Sequence, residues 1–573
     1  MAGEFKGDFS RDSFDFPKHF SRVLFQQGRV FLDADWNEQV AILLRLLRVL
    51  GADLTKGFGS FDYGFFLDQS TSSMSTQPMI DFIIVPGHCY LDGILCSCDG
   101  SPVPFSTSDN PNSISNVLVS AWMPDDLAFQ QGQYVALLNS QNSFDPSPGK
   151  GFPQKAQITA ADPSKRALTL SPAATGFQAT DSPNFFLRRL TTFLTQPDYP
   201  LPPDQLSILQ TLAKNNPGGC LVYLDVWERH IAAFQDPSIR EIALEGIDTA
   251  SRAKIVAQVK IDPDFNLSIL GGTPSQPNIA AARKVLADLH QPYNRGWMQA
   301  RLKPPSDASP LDPCMTHPDA RYRGAENQLY RVEIHTPSIA PAGVSESATF
   351  KWSRENACVT FPILSSNGSI VFLETLGRDS RFGLKIDDWV EVLDDILILQ
   401  GQQGTLFQIA SISLPDRSVT LKSPISGVTP PTVVKDDPAH PHAFLRRWDH
   451  QDSSGKGITI VEPSANNPSV WYDLEDGIQV QFQPALSPSN TASSPTTSPQ
   501  NVYRTGDYWL IPARTSANGI IDWPTVLDSS NTPVAVALPP HGVNHHYAPL
   551  GVIQVSLTGA LTIKQQLVPS LEK

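Results

Sequence analysis

Residues 134–139 (YVALLN) and 157–172 (QITAADPSKRALTLSP) are similar to residues 389–394 (WVEVLD) and 408–424 (QIASISLPDRSVTLKSP). Each copy has a strand-like apolar run, a loop, a second strand, a tight turn that contains Asp-Pro or Pro-Asp, and a third strand. This order is typical of a small antiparallel barrel, so the sequence predicts two such modules in one chain. Chance similarity between two hairpins is the alternative.

The overall composition indicates a β protein. The chain has 573 residues, of which 50 are proline and only 17% are charged. A helical protein would rarely tolerate so many prolines, because proline removes a backbone donor and breaks the helix. We therefore predict a mainly β, multi-domain fold of small antiparallel barrels or sandwiches, with one long N-terminal helix and a few short helices.

The long helix is predicted over residues 35–56. Asp35 can serve as its N-cap, Glu38 follows three residues later as in a capping box, and Gly57 is a stop signal. An apolar stripe with steps of four and three residues runs along it: Trp36, Val40, Leu43, Leu47, Leu50 and Leu54. Further apolar residues lie outside this stripe: Ile42, Leu44, Leu46 and Val49. We expect the helix to be covered on more than one side, by its own domain or by a neighbouring subunit.

Composition shifts divide the chain into consecutive segments. They are an N-terminal arm and docking helix (1–60), a β-rich domain with the first barrel-like module (61–200), an α+β segment (201–302), a β-rich domain with the second module (303–482), a flexible linker or loop (483–501) and a C-terminal β region (502–573). Short helices are predicted at 204–214 and 278–290.

Charge and apolar runs exclude several classes of protein. The formal net charge is −14, and the only compact basic pairs are Arg188-Arg189 and Arg446-Arg447. Nucleic acid is therefore not an expected partner, because phosphate contacts need clustered Lys and Arg. No apolar signal-peptide core or membrane-length run is present, so we expect a protein made in the cytoplasm without direct membrane insertion. The six cysteines form no CxxC pair and are expected to be buried, reduced thiols.

Histidines and carboxylates offer two candidate sites. His541, His545 and His546 could ligate a metal together with Asp507, or could form hydrogen bonds in a loop packed on Tyr547 and Trp509. The sequence leaves both interpretations open.

A second candidate lies in VYLDVWERHI, which contains Asp225, Glu228 and His230. Paired carboxylates can hydrolyse glycosides, but on a strand Asp225 and Glu228 point to opposite faces. A salt bridge to Arg229 or Arg240 is the alternative. We predict no catalytic, cofactor-binding or metal-binding residue and no cofactor.

Two segments combine aromatic with polar residues. They are residues 350–356 (FKWSREN) and 503–509 (YRTGDYW). Such sets can bind sugars through ring stacking and hydrogen bonds, or can be ordinary strand and turn residues.

The N-terminal sequence GDFSRDSFDFPKHFSRVLFQQGRVFLDADWNEQ (7–39) resembles the signature of a family of uncharacterised bacterial proteins. That signature begins with a GDFSRDTFDP-like motif and continues into QQGRVQLDADWNEQ. Later blocks, among them YLDVWERHI, FKWSRENA, YRTGDYWLIPAR and PPHGVNHHYAPLGVI, also resemble the family, so the resemblance covers most of the chain. The chain departs from the signature at Phe25 and Phe31, where Met and Gln are expected.

The family is encoded in or near clusters for extracellular contractile injection systems, which are phage-tail-like particles. The resemblance therefore implies a non-enzymatic structural subunit, at the baseplate or its extensions, that could be released with the particle. Its partners would be baseplate, sheath or fibre proteins and further copies of itself. Alternative functions are a tail-fibre-like receptor or glycan-binding protein, and a glycan hydrolase. We predict that subunit docking uses Phe9, Phe14, Phe20, Phe25, Trp36, Val40, Leu43, Leu47, Leu50 and Leu54.

Overall fold

The structure, a computed structural model, describes residues 5–69, 80–110, 113–122, 128–138, 144–145, 151–152, 154–175, 177, 185–271, 277–291, 295–304, 321–338, 347–422, 430–435, 437–452, 454–463, 470–484, 501–515, 519–529, 531 and 533–571. It confirms a mainly β fold with small antiparallel barrels and few helices. The helices are α1 (Asp33–Thr55), α2 (Pro203–Asn215), α3 (Ile279–His290) and α4 (Asp395–Leu399).

The chain forms two compact units, each assembled from three separate stretches. The first unit contains Met1–Leu43, Glu228–Lys254 and Pro292–Asn544, and the second contains Leu44–Trp227, Ile255–Gln291 and His545–Lys573. The predicted segments, in contrast, are consecutive. The cause of this difference is long-range strand pairing, which composition along the sequence does not reveal.

The second unit contains the first barrel and two further sheets. A three-stranded sheet has the order β1-β4-β5, with β1 (Phe58–Ser60), β4 (Gly87–Leu91) and β5 (Ile94–Cys98). A four-stranded sheet has the order β13-β12-β30-β31, with β12 (Cys220–Ile231), β13 (Arg252–Asp262), β30 (His546–Val555) and β31 (Leu561–Gln566). The barrel comprises β6 (Val103–Ser106), β7 (Ile114–Val119), β8 (Tyr134–Leu138), β9 (Lys155–Asp162), β10 (Ala167–Ala174) and β11 (Phe186–Thr192), and β2 (Leu67–Gln69) and β3 (Phe82–Ile84) extend it.

The first unit contains the second barrel and three further sheets. A five-stranded sheet has the order β23-β16-β15-β26-β27, with β15 (Gln328–Ile334), β16 (Thr349–Ser353), β23 (Ile458–Thr459), β26 (Tyr508–Arg514) and β27 (Ile520–Ile521). Smaller sheets pair β14 (Trp297–Leu302) with β25 (Ile478–Gln483) and β24 (Tyr472–Asp473), and β28 (Thr525–Leu527) with β29 (Pro533–Ala535). The closed barrel comprises β17 (Thr360–Asn367), β18 (Ile370–Leu373), β19 (Trp389–Leu393), β20 (Thr405–Ser413), β21 (Ser418–Leu421) and β22 (Phe444–Trp448).

The two barrels have the same topology, which confirms the predicted repeat. The first closes in the order β6-β7-β10-β9-β8-β11 and the second in the order β17-β18-β21-β20-β19-β22. Each also has a β-bulge at the equivalent place, where Thr159 and Ala410 are the extra residues. Bulges of this kind bend a strand and increase its twist, as a closing barrel requires.

The two basic pairs belong to this repeat. Arg188-Arg189 lies on β11 and Arg446-Arg447 on β22, each preceded by Phe-Leu and paired with the equivalent strand. Arg188 pairs in register with Ala136, whereas Arg446 pairs with Glu391. The second barrel therefore has a charged residue where the first has a small apolar one.

Helix α1 begins two residues before the predicted N-cap, so the capping box assigned to Asp35 is wrong. Its end is as predicted, because Lys56 takes a left-handed conformation and Gly57 N donates to Ala52 O at 2.8 Å. The turn at Gly93 then lies close to the helix backbone. A Cβ at Gly93 would stand 1.8 Å from Arg48 O, so only glycine allows this approach.

The short helices α2 and α3 lie where the sequence predicts them, and Asn278 caps α3 by accepting from Ala281 N. Cys89, Cys96 and Cys220 are buried free thiols, and Cys98 and Cys358 are half-buried. Cys314, most of the 303–319 linker and most of the 483–501 segment lie outside the described residues. None of the described helices has the length and apolar character needed to span a membrane.

Candidate docking surface

The N-terminal arm, residues 5–32, is fixed at its start inside the first unit. Asn356 Nδ2 donates to Phe5 O at 3.2 Å and to Gly7 O at 2.9 Å. Lys6 is buried, and its Nζ lies 3.4 Å from Glu333 Oε2. A buried ammonium remains charged only beside a carboxylate, so this pair holds the arm in one position.

Lys6 is part of a buried ion network, which we define as Lys6, Arg331, Glu333, Lys351 and Glu391. Lys351 Nζ lies 2.6 Å from Glu391 Oε2 and 3.7 Å from Glu333 Oε1, and Arg331 Nε lies 2.6 Å from Glu333 Oε2. Burial opposes ionisation of Glu391, but the charge and hydrogen bond of Lys351, together with His335, outweigh it and lower the pKa of Glu391 to about 2. The network is therefore ionised, and each charge depends on its neighbours.

His450 lies near this network and stacks on Trp389 with ring centroids 5.7 Å apart. It is fully buried, and neither ring nitrogen has a hydrogen-bond partner among the described residues. Burial lowers the pKa of His450 to about 4. The folded protein therefore holds this imidazole neutral at neutral pH.

His450→Phe is expected to reduce the acid sensitivity of the first unit. The unfolded chain binds a proton at this position below about pH 6.5, whereas the folded chain does so only near pH 4, so stability is lost as pH falls through this window. Because phenylalanine does not bind a proton, the variant should avoid about 3 kcal/mol of this loss of folding stability at pH 4. Urea unfolding between pH 7 and 4 measures it, and equal pH slopes for variant and wild type would contradict it.

Beyond its start, the arm runs along the first half of α1. Asp33 Oδ2 accepts from Ser10 N at 2.9 Å, Ser13 Oγ donates to Glu38 Oε2 at 2.6 Å, and Val23 N donates to the Gln39 side chain at 2.8 Å. Asp33 and Glu38 thus accept hydrogen bonds from the arm, and Glu38 does not form the predicted capping box.

Glu38→Ala is expected to loosen the arm, because Ser13 loses a hydrogen bond to a charged group. Such a bond is worth about 1.5–3 kcal/mol, so cleavage of the arm by trypsin should accelerate about tenfold. The control is Asp53→Ala, an exposed acidic residue of the same helix. Equal cleavage rates in the two variants would show that the contact does not hold the arm.

The arm turns at Gln27-Gly28, as predicted, and brings aromatic side chains to the start of α1. Gly28 has φ +72°, and Arg29 N donates to Gln26 O at 3.3 Å. Phe25 and Phe31, on the two sides of the turn, stack with centroids 4.7 Å apart. These are the two positions that depart from the signature, and they form one contact.

Large apolar side chains are concentrated on this part of the molecule. Of the 36 exposed large hydrophobic residues among the described residues, 16 lie between residues 16 and 54. We call these 16 the docking surface: Phe16, Phe20, Leu24, Phe25, Val30, Phe31, Leu32, Trp36, Val40, Leu43, Leu44, Leu46, Leu47, Val49, Leu50 and Leu54. Exposed large apolar side chains concentrated in one stretch of chain are typical of a site of protein association.

Eight of the ten predicted docking residues are on this surface. Phe9 and Phe14 are half-buried instead, and the ring of Phe9 meets His230 edge-on at 6.4 Å. Sequence reasoning missed apolar residues beside the Gln27-Gly28 turn, such as Leu24 and Val30, although an apolar run on both sides of an exposed turn indicates them. We predicted that α1 would be covered on more than one side. The described part of the chain does not provide this cover, since Ile42 is the only buried residue among the four apolar residues outside the stripe.

Comparison with known proteins shows the family to which the chain belongs. The sequence model of a family of unknown function, DUF6519, matches residues 5–113, 188–266 and 271–559. The chain belongs to this family. In this DUF6519 member the match includes the arm, α1 and the whole second barrel, but leaves out β7 to β10 of the first. No curated protein and no solved structure matches the chain.

The three candidate metal-ligating histidines of this DUF6519 chain have different partners. His545 Nδ1 lies 2.6 Å from Asp225 Oδ1, and His546 Nδ1 lies 2.8 Å from Asp92 Oδ2. His541 stacks on the ring of Tyr508, with centroids 5.5 Å apart. Asp507, the carboxylate proposed to join them, pairs with Arg295. Within the described ranges, no three His, Cys, Asp or Glu side chains are grouped as metal ligands.

Asp225 has an ion pair, but not with the predicted arginines. It is buried on β12, and its Oδ2 lies 2.7 Å from Lys260 Nζ on β13. Arg229 pairs with Asp395 instead. Burial opposes ionisation of Asp225, but Lys260 and His545 outweigh it and hold its pKa well below its usual value. Glu228 is half-buried on the same strand.

The aromatic sets of residues 350–356 and 503–509 are core residues. Phe350, Trp352 and Trp509 pack in one buried cluster with Tyr503, and Tyr508 is buried beside Arg331. A sugar needs an exposed ring face to stack on. These rings are therefore not available for stacking as they stand in the structure.

Proposed function

We propose that this DUF6519 chain is a non-enzymatic structural subunit of a phage-tail-like contractile injection particle, docked at or near the baseplate. The observation that carries the proposal is the docking surface, where 16 large apolar side chains are exposed over 39 consecutive residues. Leaving them in water is costly, because burying one such side chain contributes about 1.5–3 kcal/mol. The resemblance of residues 7–39 to the signature suggests that the protein that covers this surface belongs to a contractile injection particle.

Two further observations favour docking over catalysis. The arm is fixed by the buried ion network and by α1, so the apolar side chains are presented on an ordered scaffold. Preorganised surfaces bind more tightly because less conformational entropy is lost on association. Asp225, one of the two carboxylates considered for glycoside hydrolysis, is engaged in a buried ion pair with Lys260 instead.

The particle assignment is tested with purified particles from a producing strain that carries a tagged copy of the gene. Wild-type protein is expected to sediment with sheath and tube proteins in a density gradient. Cryo-EM density at the baseplate would support the proposal, whereas density only at fibre tips would favour the receptor alternative. Protein that stays entirely at the top of a gradient containing intact particles would overturn the proposal.

The role of the docking surface is tested with matched charge substitutions. Leu47→Glu/Leu54→Glu places two carboxylates on the surface, and Leu414→Glu/Leu557→Glu does the same at two leucines elsewhere that are at least as exposed. The first variant is expected to lose at least about 90% of its particle association with unchanged circular dichroism, because two buried leucine contacts become desolvated charges. The control is expected to associate like wild type. Equal incorporation of both variants would exclude this surface as the contact.

A further inference from the structure

The small sheet of β14, β25 and β24 in the first unit has an outer face made only of polar and aromatic side chains. Met298, Ala300, Ile478, Val480 and Phe482 on its inner face lie in the buried core. Side chains of a strand alternate between the two faces of a sheet, so the residues between these point outward. We call the eight outward residues the amide face: Trp297, Gln299, Arg301, Gln479, Gln481, Gln483, Asp473 and Trp471, the last just before β24.

The strand register arranges the amide face in three rows across the strands. The rows are Trp297 with Gln483, Gln299 with Gln481 and Trp471, and Arg301 with Gln479 and Asp473. Rows follow each other roughly every 7 Å and the outer strands lie roughly 10 Å apart, so the backbones of the two tryptophans are roughly 12 Å apart. The face therefore has a central column of glutamines with one indole ring on each side.

Contacts between the side chains hold this face in one arrangement. Gln299 Nε2 and Gln483 Nε2 both donate to Gln481 Oε1, at 2.7 and 2.8 Å. Arg301 reaches across the central strand, and its Cζ lies 3.6 Å from the centroid of the Trp471 ring. Side chains that are already fixed lose less conformational entropy when a ligand binds.

The amide face also has polar groups that remain available for a ligand. Within the described part of the chain, Gln299 Oε1, Gln483 Oε1 and Gln481 Nε2 have no hydrogen-bond partner, and neither indole N–H of the face has one. Gln299 and both tryptophans are half-buried. Lys303 and Asp473 at one end of the sheet have side chains that are 51% and 59% exposed, so this end lies at the molecular surface.

The chemistry of the face favours a carbohydrate over the other classes of ligand. Sugar hydroxyls donate and accept hydrogen bonds, as glutamine amides do, and the apolar face of a sugar ring stacks on an indole. Protein interfaces are built around an apolar core, whereas the centre of this face is a column of three glutamines. Nucleic acid needs clustered positive charge, but Arg301 is the only basic residue of the eight.

We propose that the amide face binds an extended oligosaccharide chain. Two of its sugar rings would stack on Trp297 and Trp471, and its polar groups would bond to the amides of Gln299, Gln481 and Gln483. The spacing of the tryptophans is wider than a single sugar ring, so only a chain of linked sugars contacts both. The inference goes beyond the proposed structural role and does not rest on the particle assignment.

Binding is measured by isothermal titration calorimetry on the purified full chain. The probes are cellohexaose, chitohexaose, maltohexaose and a hyaluronan hexasaccharide, which differ in linkage, N-acetylation and charge. Wild type is expected to bind at least one of them with a dissociation constant below about 1 mM, and to bind the corresponding single sugar at least about tenfold more weakly. Absence of binding to every probe at about 5 mM would overturn the proposal.

The stacking rings are tested with Trp297→Ala/Trp471→Ala, which is expected to raise the dissociation constant about tenfold or more. Trp297→Phe/Trp471→Phe keeps two ring faces and should recover most of the affinity. The control Trp36→Ala removes an exposed tryptophan of the docking surface and should bind like wild type. Sugar binding that is equally tight in wild type and in the double alanine variant would place the site elsewhere and overturn the proposal.

The amide row is tested with Gln299→Leu, which keeps the side-chain volume and leaves Gln481 Oε1 its bond from Gln483. Because Gln299 is half-buried at the side of the central column, the urea midpoint should change little. The dissociation constant is expected to rise about tenfold through loss of hydrogen bonds to the sugar. Unchanged affinity in this folded variant would exclude the amide row and overturn the proposal, even where the tryptophan variants fail to fold.

Failure of this inference is distinguishable from failure of the proposed function. Trp297→Ala/Trp471→Ala is expected to enter particles like wild type. Loss of particle association in this variant would show that the amide face is a protein contact, which would overturn the inference and retain the particle assignment. A chain that binds an oligosaccharide but never sediments with particles would reject the particle assignment and retain the sugar site.

Discussion

Lys351→Met is expected to lower the free energy of unfolding of the first unit by about 3–5 kcal/mol, because it leaves two buried carboxylates without their shared ammonium. Glu391 and Glu333 lie 2.6 and 3.7 Å from that ammonium. Methionine matches the lysine stem in volume, so the loss is electrostatic. Equilibrium urea unfolding followed by tryptophan emission measures it, since Trp448 donates to Glu391 at 2.9 Å.

The matched control is Lys303→Met, in which an exposed lysine 3.0 Å from Asp473 is replaced. Exposed pairs contribute about 0–1 kcal/mol, so the unfolding midpoint should change little. The double variant Lys351→Met/Glu391→Met should recover part of the lost stability, because removing both charges removes the desolvation penalty. Equal effects of the two single substitutions on the free energy of unfolding would contradict the proposed contribution of the buried ion network.

Asp225→Asn is expected to destabilise the second unit by about 3 kcal/mol at neutral pH. The substitution leaves Lys260 charged and largely buried, and the single amide oxygen of asparagine replaces the two carboxylate oxygens that bond separately to Lys260 and His545. The pKa of Asp225 is held low in the folded state, so its contribution is present above about pH 4 and is lost as pH falls below this value. The difference between variant and wild type should therefore shrink in acid. Hydrogen exchange of β12 and β30 peptides measures the change at neutral pH.

Asp288→Asn is the control in the same unit, because Asp288 pairs with Lys284 on the exposed side of α3 at 2.8 Å. It should change exchange in β12 and β30 by less than about 1 kcal/mol. Exchange that is equally fast in both variants would show that the Asp225 pair is not a principal support of this sheet.

Much of the fold could be predicted from local patterns. The repeat could be predicted because both copies have alternating strand residues and a turn that contains Asp and Pro. Both features can be read directly from the sequence. The end of α1 was visible because Gly57 is a strong local signal, but its start was not. Asp33 and Glu38 are satisfied by Ser10 and Ser13 of the arm, and this long-range contact replaces the local cap.

The partners of buried charges could not be predicted. Lys351 and Glu391 are 40 residues apart and lie on strands of different sheets, β16 and β19. Only the tertiary packing of these sheets within one unit brings the two side chains together. Asp225 has two basic residues nearby in sequence, yet pairs with Lys260 across the β12–β13 ladder. The docking surface was partly predictable, because a broad apolar stripe on a long helix indicates contact. Which of its residues are exposed depends on the course of the arm.

The interleaving of the two units affects how the protein is made. Asp225 on β12 meets its partner His545 only after 320 further residues have left the ribosome. At roughly 5–20 residues per second, β12 waits roughly 15–60 s for the neighbouring strand β30. Val222, Leu224 and Val226, which are buried in the finished sheet, are exposed to other chains during that interval. Production of this protein should therefore depend on chaperones that hold nascent chains, and shortage of them should appear first as aggregation of incomplete chains.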